Sequence, residues 1–292
     1  MAVQLFLNGL ISGSIYALIA LGFSIIYKTV RFFHFAHGIV YTLGAYLAYT
    51  FTSYLSLNFF LAFVLSVSLT ILLGMGIEKF VYAPLRKRRA PNLALLLASF
   101  GVFIAMENLI ALFYGNRILT LRSGAVEEGY RFLGARITPT QVVIIVVSVG
   151  LTIICWQLIK RTKFGKALRA VSDDPFSASV VGINPQKITL GAFAIGSALA
   201  GVAGILVALE TNIEPSMGLP AILKGIIASI VGGIGSIPGA MLGGLLLGLA
   251  ENLGIWHIQA SWKDAIAFGV LIVFLLLRPS GILGMKRARG RI

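Results

Sequence analysis

At 292 residues, 58% hydrophobic and 12% charged, with a mean hydropathy of +0.94, the chain lies outside the range of soluble globular domains and reads as an all-α polytopic membrane protein. Its net charge of +14 does not signal nucleic acid, because the basic residues sit in short clusters between apolar runs rather than on one face interleaved with stacking aromatics. The single cysteine, Cys155, excludes an internal disulfide and a Cys-based metal site.

The apolar run at 3–27 is long enough to cross a bilayer at about 1.5 Å per residue. No basic stretch precedes it, so it is expected to stay as the first membrane helix rather than leave as a signal peptide. Further spans are expected at 38–55, 57–82, 92–114, 140–159, 188–211 and 262–278, with a broken stretch at 220–253. The bundle therefore has about eight transmembrane helices, or nine if 220–253 counts twice. That stretch is interrupted by GGIGSIPG, and 220–231 alone reaches only about 18 Å as helix. A hairpin turning near 232–239 fits it better, with the freed backbone buried in protein or lining an aqueous cavity.

Loop basicity orients the bundle. Lys28 and Arg31, the cluster from Arg86 to Arg89, the segment 160–187 and the tail 286–291 hold most of the Lys and Arg, and the positive-inside rule places all four in the cytosol. The loop 115–139, which mixes Arg with Glu127 and Glu128, falls outside, as does the N-terminus, while the C-terminus is inside.

The segment 160–187, KRTKFGKALRAVSDDPFSASVVGINPQK, is a polar island between two spans. Its second half specifies a short helix at both ends: Asp174 as N-cap, Pro175 at the first helical position, Gly182 as a left-handed stop and Pro185 beyond. Such a segment reads as a handle for a soluble partner.

Self-comparison finds three matches in one order. Gly13-Ser14-x-x-Ala17 recurs as Gly196-Ser197-x-x-Ala200, Gly38-Ile39-Val40 as Gly225-Ile226-Ile227, and LLGMGIE ending at Glu78 resembles LLLGLAE ending at Glu251. The single transmembrane domain then divides into a first repeat (1–115), a linking helix (140–159), the cytosolic segment (160–187), a second, inverted repeat (188–278) and a basic tail (279–292). Inverted repeats with interrupted helices are the architecture of alternating-access transport.

Candidate chemistry is sparse. The nearest approaches to a phosphate-binding loop are Gly165-Lys166-Ala167, with Ala in place of the metal-binding hydroxyl, and Tyr27-Lys28-Thr29, so no nucleotide site is expected on this chain. His34 and His37 in HFAHG share a helical face but lack a third ligand, and a helix break whose imidazoles bond backbone groups is the expectation. No metal and no cofactor are expected. Among carboxylates near spans, Glu78 has Lys79 and Arg86 for partners, Glu210 sits at a helix end, Glu251 is ambiguous, and Glu107 with Asn108 is the deepest candidate. Asn8, Tyr41, Asn212, Ser216, Ser229 and Asn252 offer neutral hydrogen bonds to a polar solute or to neighbouring helices. The expected path is drawn from His34, His37, Tyr41, Glu107 and Asn108 in the first repeat, with Ser216, Ser229, Gly232 and Gly233 in the second. Glycine stripes at 191–204 and 239–248 have the small-xxx-small spacing of tightly packed helices.

HFAHG followed by GAYLA, KFGKALRAVSDDPFSASVVGIN, GGIGSIPGAMLGGLLLGLAE and the closing RPSGILG together resemble the permease subunits of high-affinity branched-chain amino-acid ABC importers, of the LivH type, over essentially the whole chain. The resemblance implies a multi-pass subunit of the bacterial inner membrane that works with a second permease of the same family, two cytosolic ATP-binding subunits that carry ATP and Mg, and a periplasmic solute-binding protein. It also implies that Phe176 to Gly182 form a coupling helix docked in the ATPase, with Gly165, Asp173, Asp174, Pro175, Phe176, Ala178 and Gly182 as its key residues. Relatives carrying urea or short amides share these motifs. A stand-alone secondary transporter or channel is the rival reading, resting on Glu107 as an ion site; a membrane enzyme finds no support in any cluster of nucleophile and base.

Overall fold

The computed structural model describes residues 2–121, 129–132, 134–256 and 258–284; Glu127, Glu128, His257 and the basic tail at 286–291 lie outside them. In chain order the helices are α1 (Ala2–Val30), α2 (Ala36–Tyr49) with a π turn at Thr50–Tyr54, and α3 (Phe59–Ile77), which continues through a second π turn, Glu78–Tyr82, into α4 (Ala83–Lys87). Next come α5 (Asn92–Tyr114) and a small antiparallel hairpin of β1 (Tyr130–Phe132) and β2 (Ala135–Ile137). The second half holds α6 (Pro139–Arg161), α7 (Lys163–Asp173), α8 (Pro175–Val180), α9 (Pro185–Glu210), α10 (Gly218–Gly232), α11 (Ile237–Gly254) and α12 (Lys263–Leu277).

Local chemistry fixes these ends. Thr138 and Gln141 form a reciprocal capping box at the start of α6, and Asn58, Thr162, Asn184 and Ser236 cap α3, α7, α9 and α11 with side-chain oxygens. Proline occupies the first turn of α6, α8, α9 and α11, where its missing N–H costs nothing.

Among the described residues eight helical stretches are long and apolar enough to cross a membrane. The chain is therefore a polytopic all-α membrane protein. The hairpin expected at 220–253 is present and supplies two of the eight, Pro215–Gly232 and Ile237–Gly254, its first half lengthened by a 3-10 turn at Pro215–Met217. One expectation needs correction: the span expected at 38–55 is instead a 14-residue α2 completed by the π turn.

The centre of the bundle is α1, with 83% of its most apolar stretch buried, against α9, α10 and α11. Glycine permits this approach. A Cβ on Gly248 would lie 2.3 Å from the Gly13 amide nitrogen, and one on Gly204 would lie 2.0 Å from the Tyr41 carbonyl oxygen. Two chain segments turn back into this core. After α1 the residues 31–35 lead inward, so that the Ala36 amide donates to Ser99 Oγ at 3.0 Å and the His37 imidazole lies against Gly22. After α9 the chain again leads inward, placing the Gly218 backbone against Gly38.

The bundle has two ends. At one lie Lys28, Arg31, Arg169 and the α10–α11 turn, where Gly235 packs on Lys28 and Gly233 on Gly284. At the other lie Gln4, bonded to the β2 backbone at Arg136, and Ile213, bridged to Leu119. These are called the Lys28 end and the Glu210 end.

Candidate translocation cavity and docking helix

Helix α8 projects from the Lys28 end. The Asp174 carboxylate accepts from the Phe176 and Ser177 amides at 3.0 and 3.2 Å and from the Ser177 hydroxyl at 2.5 Å. Those bonds, the Ser177 hydroxyl foremost, hold its carboxyl below the usual aspartate range. Gly182 closes the segment with φ +83°, a conformation that a side chain disfavours, and Pro185 opens α9. The expected caps are thus all in place. Ala178, one of the residues expected to carry the coupling, is buried against its own chain at 3% exposure. The residues that reach outward are Phe176, Val180 and Val181, at 77%, 73% and 72% exposure. They form an apolar knob on a polar, basic segment.

Preceding it, α7 was not foreseen as a helix. Its signal is the pattern Phe164, Leu168, Val171, with Leu168 and Val171 buried and charged residues opposite. Gly165 belongs here for a packing reason, since a Cβ would lie 2.0 Å from the Ile159 carbonyl oxygen where α7 folds back on α6. Arg31 ties this region to the core: its guanidinium donates to the carbonyls of Ser172, at 2.5 Å, and Asp173, at 3.1 Å.

Two cavities enter the bundle from opposite ends. The one at the Lys28 end, about 1040 Å³, is lined by Lys28, Arg31, Lys160, Arg169 and Asp173 with Tyr27, Trp156 and Ile230. The one at the Glu210 end, about 470 Å³, has Asn8, Gln141, Glu210, Thr211 and Lys263 toward its mouth and Ile19 and Tyr41 toward its floor. Between the two, α1 and α10 close on each other. The hydroxyls of Ser24 and Ser229 are 2.7 Å apart and both residues are buried, and Gly225 packs on Ile19.

The second cavity contains a polar cluster. Lys224 Nζ lies 3.3 Å from Glu251 Oε1, 3.2 Å from Asp264 Oδ1 and 3.2 Å from the Tyr16 hydroxyl, which donates to Glu251 Oε2 at 2.8 Å. Glu251 is fully buried, and Lys224 compensates it at close range. Lys263 Nζ donates to Asn252 Oδ1 at 3.0 Å, and Gln141 Nε2 donates to Glu210 Oε1 at 2.8 Å. Lys224 and Tyr16 were missed by sequence reasoning that weighed carboxylates, histidines and selected neutral groups within the spans but no lysine there. A lone lysine inside an apolar run was the available signal.

Of the residues expected on a path, Tyr41 lines this cavity, and Asn8 and Asn252, two of the neutral hydrogen-bonding candidates, line it too. Ser229 forms the closure between the cavities, and Gly232 and Gly233 form the hairpin turn beneath the Lys28-end cavity, Gly233 with φ +106°. His34 and His37 are both fully buried in the core. His34 Nδ1 bonds the hydroxyl of Tyr82 at 3.0 Å, with Ser99 at 3.4 Å, which replaces the backbone partner expected for it. Ser216 is exposed near the Glu210 end. Glu107 is half-buried and Asn108 exposed on α5, its amide donating to the Ile104 carbonyl at 2.8 Å; neither lines a described cavity. Glu78 pairs with Arg86, as expected. Among the described residues no group of three His, Cys, Asp or Glu side chains is placed to hold a metal.

A polytopic helical bundle with polar cavities entering from both ends and a capped apolar knob at one of them has the form of a membrane permease subunit. The profile of the family described as "Branched-chain amino acid transport system / permease component" matches residues 5–275, so the chain belongs to that family. It is 39% identical to the high-affinity branched-chain amino acid transport system permease protein BraD of Pseudomonas aeruginosa, covering 97% of this chain and 95% of that one. It is 36% identical to the corresponding permease protein LivH of Escherichia coli K12, with the same coverage. Its fold is also similar to PsaBC of Streptococcus pneumoniae, solved with a Fab, at a TM-score of 0.52 and 12% identity over 94% of this chain and 91% of that one.

Proposed function

We propose that the chain is the inner-membrane permease subunit of an ATP-driven, binding-protein-dependent importer of branched-chain amino acids, leucine, isoleucine and valine. Family membership supports the solute class. The observation that carries the coupling is the exposed apolar face of Phe176, Val180 and Val181 on a helix capped at both ends. A basic cytosolic segment has no reason to keep such a face in water unless another protein covers it. The occupant is one of two cytosolic ATPase subunits, which bind ATP and Mg; a second permease of the same family completes the pathway, and a periplasmic protein delivers the solute. The Lys28 end is cytosolic by its clustered Lys and Arg, and the Glu210 end with the N-terminus is periplasmic.

In this reading the halves of the chain are inverted repeats. The matched motifs support it by packing reciprocally: Gly13 of the first unit meets Gly248 of the second, and Ser197 of the second meets Gly74 of the first. Such an exchange is what a two-fold relation produces. Closure of the ATPases on ATP moves α8; Arg31, bonded to the backbone just before α8, passes that movement to residues 31–35 and the core. The cavities then open alternately about the Ser24–Ser229 contact, and hydrolysis resets the complex.

The test is reconstitution of the full complex in proteoliposomes, with ATP-dependent leucine uptake and subunit co-purification as readouts. Phe176→Asp is expected to leave this chain folded, lose the ATPase subunits and abolish uptake. Retention of both ATPases with normal uptake overturns the docking assignment.

A further inference from the structure

The helices α3, α5, α6 and α12 turn outward: only 28%, 22%, 28% and 6% of the most apolar stretches that include them is buried in this chain. Three of the four suit lipid. Their exposed polar side chains lie near the helix ends, apart from Ser68 of α3, whose hydroxyl returns to the Val64 carbonyl at 2.8 Å. Helix α5 differs, because Leu97, Gly101, Ala105, Asn108 and Leu112 recur at intervals of three or four, share one face and are all exposed. Its centre is two small residues and an amide. A Cβ on Gly101 would meet nothing within 4 Å.

Asn108 cannot escape to water from this position. The residues 109–114 follow it in α5, about 9 Å of helix at about 1.5 Å each, so it lies inside the hydrocarbon layer of about 30 Å that the whole helix crosses. Side chains on an α-helix tilt toward its N-terminus, and here the Asn108 amide runs back to donate to the Ile104 carbonyl at 2.8 Å, away from the nearer membrane face. That bond uses one of its two N–H donors. The second donor and the carbonyl oxygen have no partner among the described residues. Glu107, beside it at the same depth, is half-buried and has no hydrogen bond or ion pair among the described residues. Lipid tails can satisfy neither group, so a carboxylate next to an amide at this depth calls for protein.

We infer that this face of α5 docks a membrane helix of the second permease, which packs small residues on Gly101 and Ala105 and brings hydrogen-bond donors to the Asn108 carbonyl oxygen and the Glu107 carboxylate. Depth decides the class of partner. ATPases and a solute-binding protein work from the water phases and do not reach Asn108, whereas a second membrane subunit does. The inference rests on the import reading above in taking that neighbour to be the second permease. Small residues admit the partner backbone, and polar groups facing each other across the contact hold its register. The outward faces of α6 and α12, built from Val146, Ile154, Ile272 and Leu276, offer neither feature.

The test is made in the assembled complex, with p-benzoylphenylalanine in place of Leu112, 80% exposed on this face, or in place of Val146 on α6, 63% exposed. Irradiation is expected to join the Leu112 probe to a second polytopic chain, at least fivefold more than the Val146 probe, and peptide masses should assign that chain to a permease of this family with a sequence different from this one. An adduct of two copies of this chain overturns the assignment in favour of a homodimer, and no protein adduct above that of the Val146 probe overturns it in favour of lipid. Ala105→Trp fills the face and is expected to lower the second permease recovered with this chain at least fivefold, while the unfolding midpoint of the isolated chain stays unchanged. Asn108→Leu is expected to lower recovery at least twofold and Asn108→Gln by less. Recovery unchanged by Ala105→Trp overturns the surface, and if that complex still imports leucine the import reading stands without it. An unsubstituted chain that purifies with the ATPases but with no second permease overturns the two together.

Discussion

The most apolar stretches of α1 and α5 have the same mean hydropathy of 2.0, yet 83% of that of α1 is buried in protein and only 22% of that of α5. Hydrophobicity cannot sort them, because lipid is as apolar as a protein interior and no water drives one helix against another. Side-chain size does the sorting. Helix α1 carries Gly9, Gly13, Ala17, Ala20 and Gly22 on faces that meet other backbones, whereas α5 presents Leu93, Leu97, Leu112 and Phe113 outward.

The largest expected effect attacks the close approach itself. In Gly248→Val the new Cβ falls 2.3 Å from the Gly13 nitrogen and 2.4 Å from its Cα, backbone atoms that can move only with the whole helix. Its cost is expected at or above the upper end of the about 1–3 kcal/mol typical of overpacking. Recovery of monodisperse protein after a thermal ramp should collapse. Recovery equal to that of the unsubstituted chain would mean that α1 and α11 do not meet as described.

Polar groups sharpen the same contrast. Glu251 is fully buried and answered by Lys224 and Tyr16, whereas Glu107 sits half-buried on α5 away from both cavities. Lys224→Met strands a buried carboxylate and should cost about 3–5 kcal/mol, while Lys224→Met with Glu251→Gln should recover much of it. Glu107→Gln should change little. The unfolding midpoints of these variants in one detergent decide the matter, and a double variant no better than the single one breaks the pairing argument.

Outside the membrane the controlling physics changes, since water competes for every backbone group and caps decide whether a short helix forms. Asp174→Ala removes the acceptor for two α8 amides and should reduce ATP-coupled uptake a few-fold with no change in the unfolding midpoint of the bundle. The pH dependence has a definite sign. The carboxyl is held below its ordinary value, so the cap is fully present above the unfolded pKa of about 3.9 and is lost only as pH falls through the lower folded value. The wild-type α8 should therefore behave uniformly across neutral and mildly acidic pH. A difference from Asp174→Ala that vanishes between pH 8 and 6 would assign the effect to another group.

These regions also explain what was legible in the sequence. Runs of apolar residues between basic clusters marked the long spans, and Asp174, Pro175, Gly182 and Pro185 marked α8, because both signals are local. The short α2 and the early start of α10 were not legible, since both depend on chain returning into a core already lined with glycine. Helix α7 was hidden by its short apolar face. The cavity cluster joins Tyr16, Lys224, Glu251 and Asp264 from four helices, so no spacing in the sequence announces it. Candidates chosen one by one, such as Glu107 and Asn108, therefore fell on α5 away from both cavities.

The smallest effect tests the other half of the comparison. Gly101 lies on the exposed face of α5, and a Cβ there meets nothing within 4 Å. Alanine has the higher helix propensity by about 0.8–1.0 kcal/mol in water, and inside a lipid-facing helix the gain should be this or less. Gly101→Ala in the isolated chain is thus expected to leave the unfolding midpoint unchanged or raise it slightly. In the assembled transporter the same variant distinguishes lipid from protein as the neighbour of α5. If the second permease packs on this face, small residues are again what lets the helices approach, and the added methyl should weaken assembly while leaving the isolated chain untouched. If lipid covers it, chain and complex should respond alike.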